Sequence, residues 1–213
     1  MAQCDRVLAT GGGAMVNAAY SSGTPALGVG VGNAVITVDE TADLDDAADK
    51  IKISKTLDLA ASCSADNSVI LVEEIYEDML KKLQERGGYF VNPEEKIKLR
   101  NTIWDEEGHL NTAIVAQTAS KIAEMANIDL PDNIEFMIVP EDSWGPDHLF
   151  SGEKLSVVMA LYKATNIDHA IELTNNIQSY QGQGHSCGIY SNSDENIMTV
   201  SYTHLRAHET SRN

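Results

Sequence analysis

The sequence predicts an α/β protein built on a largely parallel sheet. Strand-like apolar runs alternate with amphipathic helical segments along the whole chain. A triple-glycine turn, Gly11-Gly12-Gly13, sits between the first strand and the first helix. One apolar, β-branched run at 155–163 has the continuous hydrophobicity of a strand covered on both faces.

In order, residues 6–9 end a strand, the glycine turn follows, and 14–20 form a helix closed by Ser21-Ser22-Gly23-Thr24-Pro25. A second glycine-rich stretch, 28–33, leads into the alternating strand 34–38. Leu44, Ala47, Ala48, Ile51 and Leu59 mark one face of a helix over 43–60, started by Asp43. A small polar loop around Cys63 precedes a strand at 68–72, and a helix over 74–86 stops at Gly87-Gly88. Asn92-Pro93-Glu94-Glu95 starts the next helix, reaching Trp104. A helix over 112–126 and a strand at 134–139 follow, then the buried strand 155–163. Asn166 caps a helix through Ile177, and Gln181-Gly182-Gln183-Gly184 turns into a last strand at 185–190.

The chain has 213 residues and a formal net charge of −17, so its surface repels nucleic-acid backbones and anionic membranes. Its longest apolar stretches are too short to span a bilayer, and the start lacks a secretory progression. A cytoplasmic protein is expected. The 3 cysteines, Cys4, Cys63 and Cys187, form no CxxC pair and imply neither a disulfide framework nor a zinc site. Asp39, Glu40, Asp43, Asp45 and Asp46 cluster where a helix begins, which accounts for them without a metal.

Of the cysteines, Cys63 stands out. A free cysteine is often a small buried hydrophobe, but Ser62, Ser64, Asp66 and Asn67 surround this one. That setting fits an accessible thiol, reactive in proportion to its thiolate fraction. Four segments then match one family in order. Residues 10–30, from Thr10-Gly11-Gly12-Gly13 to Gly28-Val29-Gly30, resemble the nicotinamide-side loop of CoA-acylating aldehyde dehydrogenases. Ser62-Cys63-Ser64-Ala65-Asp66-Asn67-Ser68 resembles their nucleophile segment, Ser151-Gly152-Glu153-Lys154-Leu155-Ser156 the segment whose glutamate holds the cofactor ribose, and Gly184-His185-Ser186 their glycine-histidine-hydroxyl motif.

The resemblance covers residues 6–200 and implies an aldehyde dehydrogenase-like catalytic domain over 34–200, preceded by the end of a dinucleotide-binding domain in 1–33. It implies Cys63 as the nucleophile that forms a thioester, with His185 near the reacting groups. Thr10, Gly11, Gly12, Gly28 and Glu153 would bind NAD or NADP, with coenzyme A as cosubstrate. Read without the family, Glu153 is one surface glutamate among many and His185 a histidine satisfied by backbone. Cys187 is read as packing, on the same strand face as His185, and Trp144 either lines an entrance or packs its loop. Hydrolytic members carry a glutamate base near Gly28 and Val29, whereas 27–38 here contains no carboxylate, which favours a thiol over water as acyl acceptor.

Ser62-Cys63-Ser64 with Asp66-Asn67-Ser68 departs from acetaldehyde enzymes and is similar to acylating sulfoacetaldehyde dehydrogenases, whose anionic substrate suits extra hydroxyl and amide donors. Residues 201–213 hold 2 of the 5 arginines and 2 of the 6 histidines, resemble translated adapter read-through, and are expected to be non-native. The chain is then a fragment, inactive by itself, of an enzyme expected to be a homo-oligomer. A cysteine hydrolase is the remaining alternative, and no local signature supports it.

Overall fold

The computed structural model describes residues 1–209, with side chains through Tyr202. The tail expectation therefore lies partly outside the described residues. Backbone contacts divide the chain into two compact units, Met1–Gly32 and Asn33–Asn213.

The first unit is a β-α-β element. Strand β1 (Val7–Thr10) leads through the glycines into α1 (Gly13–Tyr20), and β2 (Ala26–Val29) returns parallel to β1 with Val7 opposite Ala26. Gly28 lies where β2 meets the helix. A Cβ there would stand 2.5 Å from a Val16 methyl and 2.9 Å from the Tyr20 ring, so only glycine permits this approach. The Tyr20 hydroxyl accepts the Gly28 N–H at 3.0 Å. Leu8 and Leu27, on the strands of this small sheet, are 74% and 70% exposed.

In the second unit, β3 (Ala34–Val38), β4 (Asp66–Val72), β5 (Gly88–Phe90), β6 (Phe136–Pro140), β7 (Val158–Ala164) and β8 (Cys187–Tyr190) form a sheet of order β5-β6-β7-β4-β3-β8. Each neighbouring pair is parallel. Every residue of β4 is buried, and alternate residues point to opposite faces, so the sheet is covered on both sides there. The helices α2 (Leu44–Thr56), α3 (Tyr76–Glu85), α4 (Pro93–Ile103), α5 (Ala119–Ala126) and α6 (Ile167–Tyr180) supply the cover, and α7 (Asp194–Glu209) follows β8.

The starts of these helices follow their sequence signals. Asp43 accepts the Asp45 and Asp46 N–H groups, Asn92 and Glu95 make a reciprocal capping box, and Asn166 accepts from the His169 N–H. Gly87 ends the turn after α3 at φ +91°.

Several boundaries move from the sequence expectation, each with a local cause. The helix expected over 43–60 ends at Thr56, because Asp58, Leu59 and Ala60 all turn left-handed, with φ of 47°, 52° and 56°. The helix expected over 112–126 splits: a single turn at Thr112–Ile114 is followed by left-handed Ala116, and Thr118 caps α5 afresh. The strand expected at 155–163 starts at Val158, since Leu155 has φ 45° and gives its carbonyl to the Ala116 N–H. The last strand starts at Cys187 rather than 185. The His185 N–H closes a turn onto the Gly182 carbonyl, so His185 and Cys187 do not share a strand face.

Candidate functional site

Because the six strands run the same way, the segments just before them gather along one edge of the sheet. Four neighbouring strands, β7, β4, β3 and β8, are preceded by Glu153, Cys63, the end of the second glycine-rich stretch and His185 respectively. Topology thus brings Cys63, Glu153 and His185 to a common edge. Ligands in open α/β sheets usually bind at the opposite, carboxyl edge. At that edge Glu141 follows β6 beside a cavity of about 320 Å³, but its Oε1 already takes Lys96 at 3.2 Å and His148 at 3.1 Å.

Cys63 is exposed, on a loop stapled at both ends. At the base, Ser54 Oγ on the last turn of α2 accepts the Asp66 N–H at 3.1 Å. At the tip, the Ala65 N–H reaches the Ser62 carbonyl at 3.1 Å, and the hydroxyls of Ser62 and Ser64 lie 2.8 Å apart. The left-handed run Asp58-Leu59-Ala60 redirects the chain out of α2 into this loop. Each such residue costs about 1–2 kcal/mol in an L-amino acid, so the fold stores strain next to the thiol.

Beneath the loop lies a buried polar layer. Asn67 Nδ2 donates to Asn33 Oδ1 at 2.6 Å and to the Gly152 carbonyl at 2.8 Å. Asn33 Nδ2 donates in turn to the carbonyls of Ser151 at 2.8 Å and Gln181 at 3.2 Å. Gln181 Oε1 accepts the Glu153 N–H at 2.9 Å, and a Cβ at Gly152 would stand 2.7 Å from that oxygen. Two carboxamides thereby bolt the Glu153 segment and the turn before His185 to the strand behind Cys63.

Two lysines share this layer. Lys154 is fully buried and donates to the carbonyls of Phe150 at 2.6 Å and Gly152 at 3.0 Å. Desolvation holds its amine well below the usual lysine range, with Lys55 nearby adding to the effect. Lys55 is 1% exposed, and burial brings it down to about 7 against the opposing pull of Asp66. Asp66 is raised to about 6 by the same desolvation, and its Oδ2 has no hydrogen-bond partner among the described residues.

Glu153 is half-buried, as is His185, whose Nδ1 lies 2.9 Å from Ser186 Oγ. Cys187 is half-buried and burial pushes its thiol up, whereas Cys4 is exposed. Trp144 is exposed on its loop. Thr10, Gly11, Gly12 and Gly28 belong to the first unit. There Gly12 precedes α1 and supplies no side-chain cap, and added Cβ atoms at Gly12 or Gly13 would meet nothing within 4 Å. This open, uncapped start has no acidic residue in its first turn and fits the close approach of a phosphate-bearing ligand. Gly28, by contrast, has a packing requirement of its own.

Reading the sequence missed Asn33, Lys55, Lys154 and Gln181. For Lys55 a signal existed: it falls four residues after Ile51, on the apolar stripe of α2. Asn33 and Gln181 carried no such mark, since each lies next to glycines in what reads as a solvated turn.

No family model matches the chain. It is 40% identical over 202 residues to the acylating sulfoacetaldehyde dehydrogenase of Cupriavidus necator, covering 94% of this chain and 41% of that protein. The crystal structure of an acetylating aldehyde dehydrogenase from Geobacillus thermoglucosidasius superimposes with a TM-score of 0.89 at 37% identity, over 92% of this chain and 43% of that one. An engineered glycolyl-CoA reductase with bound NADP+ aligns with a TM-score of 0.83 at 25% identity, over 92% and 44% of the two chains. The chain spans about two-fifths of the length of such relatives.

Proposed function

We propose that this chain, whose sequence and fold over about nine-tenths of its length are those of the CoA-acylating aldehyde dehydrogenases, carries the acyl-transfer site of such an enzyme, with Cys63 as its nucleophile. The observation that carries the reading is the exposed thiol on a stapled, strained loop, at the sheet edge where the Glu153 and His185 segments also arrive.

The Cys63 thiolate attacks the aldehyde carbonyl to give a thiohemiacetal, and its own N–H donates to the developing oxyanion. Nicotinamide and coenzyme A, when bound, supply the hydride acceptor and the thiol that receives the acyl group. Oxidation leaves a thioester on Cys63. Glu153 is assigned to the cofactor ribose, and His185 is assigned a role toward the CoA thiol or the reacting carbonyl. No carboxylate occurs from Leu27 to Val38 to activate water, so the thioester waits for a thiol. NAD and NADP both remain within this reading.

For the substrate we favour a short aldehyde bearing an anionic group, sulfoacetaldehyde in the first instance, with acetaldehyde as the alternative. The paired hydroxyls of Ser62 and Ser64 flank the thiol and would serve as donors to a sulfonate.

The acyl half-reaction needs no nicotinamide, so it is the part of the chemistry to test on this chain even where the complete dehydrogenase reaction is not expected of it. Incubation with acetyl-CoA should add one acyl group at Cys63, detectable by intact mass and peptide mapping. Free CoA should remove it much faster than water does, and Cys63→Ala should abolish it. A folded chain that stays unacylated, or an adduct that hydrolyses as fast without CoA as with it, would overturn the assignment. Sulfoacetyl-CoA should acylate Cys63 faster than acetyl-CoA, with the advantage lost in a Ser62→Ala/Ser64→Ala variant.

A further inference from the structure

Gln181 uses its main chain and its side chain on two different segments. It closes α6 in an extended conformation, with its own N–H still bonded to the Ile177 carbonyl at 3.2 Å. Its carbonyl accepts Asn33 Nδ2 at 3.2 Å, while its side-chain Oε1 accepts the Glu153 N–H at 2.9 Å. The fit on either side leaves no room for a side chain. A Cβ at Gly152 would stand 2.7 Å from that oxygen. One at Gly182, where φ is +86°, would stand 2.5 Å from Asn33 Cβ and 2.7 Å from the Asn33 nitrogen.

The end of α6 gives this arm a fixed base, and the turn beyond it carries His185. Gly182 and Gly184 both take positive φ there, and the His185 N–H closes the turn onto the Gly182 carbonyl at 2.9 Å. Gln178, one turn back on the same helix, pins the far side by donating to the Ser186 carbonyl at 2.8 Å. The His185 turn thus hangs from the end of α6, and the Glu153 segment is attached to that end through a single carboxamide oxygen.

We propose that Gln181 is a positioning residue for acyl transfer: its side-chain oxygen locks the Glu153 segment to the turn that presents His185, so that the two hold one spacing along the edge that also receives Cys63. The inference rests on the acyl-transfer reading of Cys63. Gln181 is half-buried, so water could satisfy the Glu153 N–H if a hydrogen-bond partner were all that was required. The close packing of Gly152 and Gly182 is what a fixed spacing needs and a mere partner does not. Reacting groups are sensitive to such spacing, because a displacement of about 1 Å is enough to slow a reaction severely.

The test compares two reactions of the same thiol. Acylation of Cys63 by acetyl-CoA is measured beside alkylation of Cys63 by iodoacetamide, the latter in a Cys4→Ser/Cys187→Ser background. Gln181→Leu keeps the bulk and loses the oxygen, and should lower the acylation rate at saturating acetyl-CoA by about tenfold. Gln181→Glu retains an acceptor oxygen and should recover to within about threefold of the unsubstituted rate. Alkylation should be unchanged in both, since the hydrogen bonds of the Cys63 loop do not involve Gln181. The His185 N–H should exchange with solvent faster in Gln181→Leu than in the other two proteins. Acylation at the unsubstituted rate in Gln181→Leu, or no recovery in Gln181→Glu, overturns the proposal. So does alkylation that changes in parallel with acylation, which would signal general loosening. Should Gln181→Leu fail to fold, Gln181→Asn withdraws the oxygen by one methylene, and an unsubstituted acylation rate in that variant is equally fatal. Exchange at His185 is read without acetyl-CoA. A chain that is never acylated therefore sinks the acyl-transfer reading, whereas unchanged His185 exchange in Gln181→Leu sinks the tie.

Discussion

Asp58, Leu59 and Ala60 show how a single-residue property shapes the Cys63 loop. None is glycine or asparagine, yet all three take left-handed backbone angles, and Cys63 follows three residues later. Asp58 is exposed, so its side chain contributes little packing. Asp58→Gly should therefore raise stability, by about 0.5–1 kcal/mol after the entropy cost of glycine. A higher urea midpoint with unchanged slope is the expected result, and a lower midpoint would mean that the turn is not strained. No sequence rule foretold this turn. Leu57-Asp58-Leu59-Ala60 continues the helical pattern of α2, and only the demands of the sheet edge override it. The exposure of Cys63 was legible, because a thiol among short polar residues is poorly explained as core filling.

At the scale of elements, the site depends on how loops from distant parts of the chain are tied together. Asn67 sits on β4, and its amide reaches both Asn33, ahead of β3, and Gly152, ahead of β7. Replacing it with leucine keeps the volume but strips donors from two buried acceptors. Asn67→Leu should cost about 2–3 kcal/mol, and the Glu153 amide should exchange with solvent faster even though Asn67 does not touch it. Hydrogen exchange that rises only within β4 would show that the carboxamides pack without coupling the loops. Strand β3 could be read from its alternation and α4 and α6 from their caps, since these signals are local. Strands β2 and β5, at four and three residues, were not anticipated, because elements that short owe their form to neighbours across the sheet, and the longer helix α7 was not anticipated either.

For the molecule as a whole, burying two lysines and an aspartate in one layer has a consequence for stability against pH. Asp66 is raised to about 6 in the folded chain, so its contribution is fully present below its ordinary 3.8 and is lost as the pH rises through about 6. Lys55 is lowered from 10.5 to about 7, so its penalty is fully present below that value and is relieved as the pH rises toward 10.5. Lys154 is lowered for the same reason and adds to the relief on the alkaline side. The two effects meet near neutrality, where the layer is at its least favourable. Thermal unfolding followed from pH 7 to 9.5 should therefore show stability rising, by roughly 1–3 kcal/mol from Lys55. Lys55→Met should flatten that rise while leaving the midpoint at pH 7 equal to or above that of the unsubstituted chain. An equal rise in both proteins would mean that Lys55 keeps its ordinary protonation in the fold. A fold that sought stability alone would fill these positions with apolar side chains, as it does along the rest of β4 and α2. Their retention beside the loop that presents Cys63 ties the pH dependence of the whole sheet to the edge where that loop, the Glu153 segment and the turn before His185 arrive.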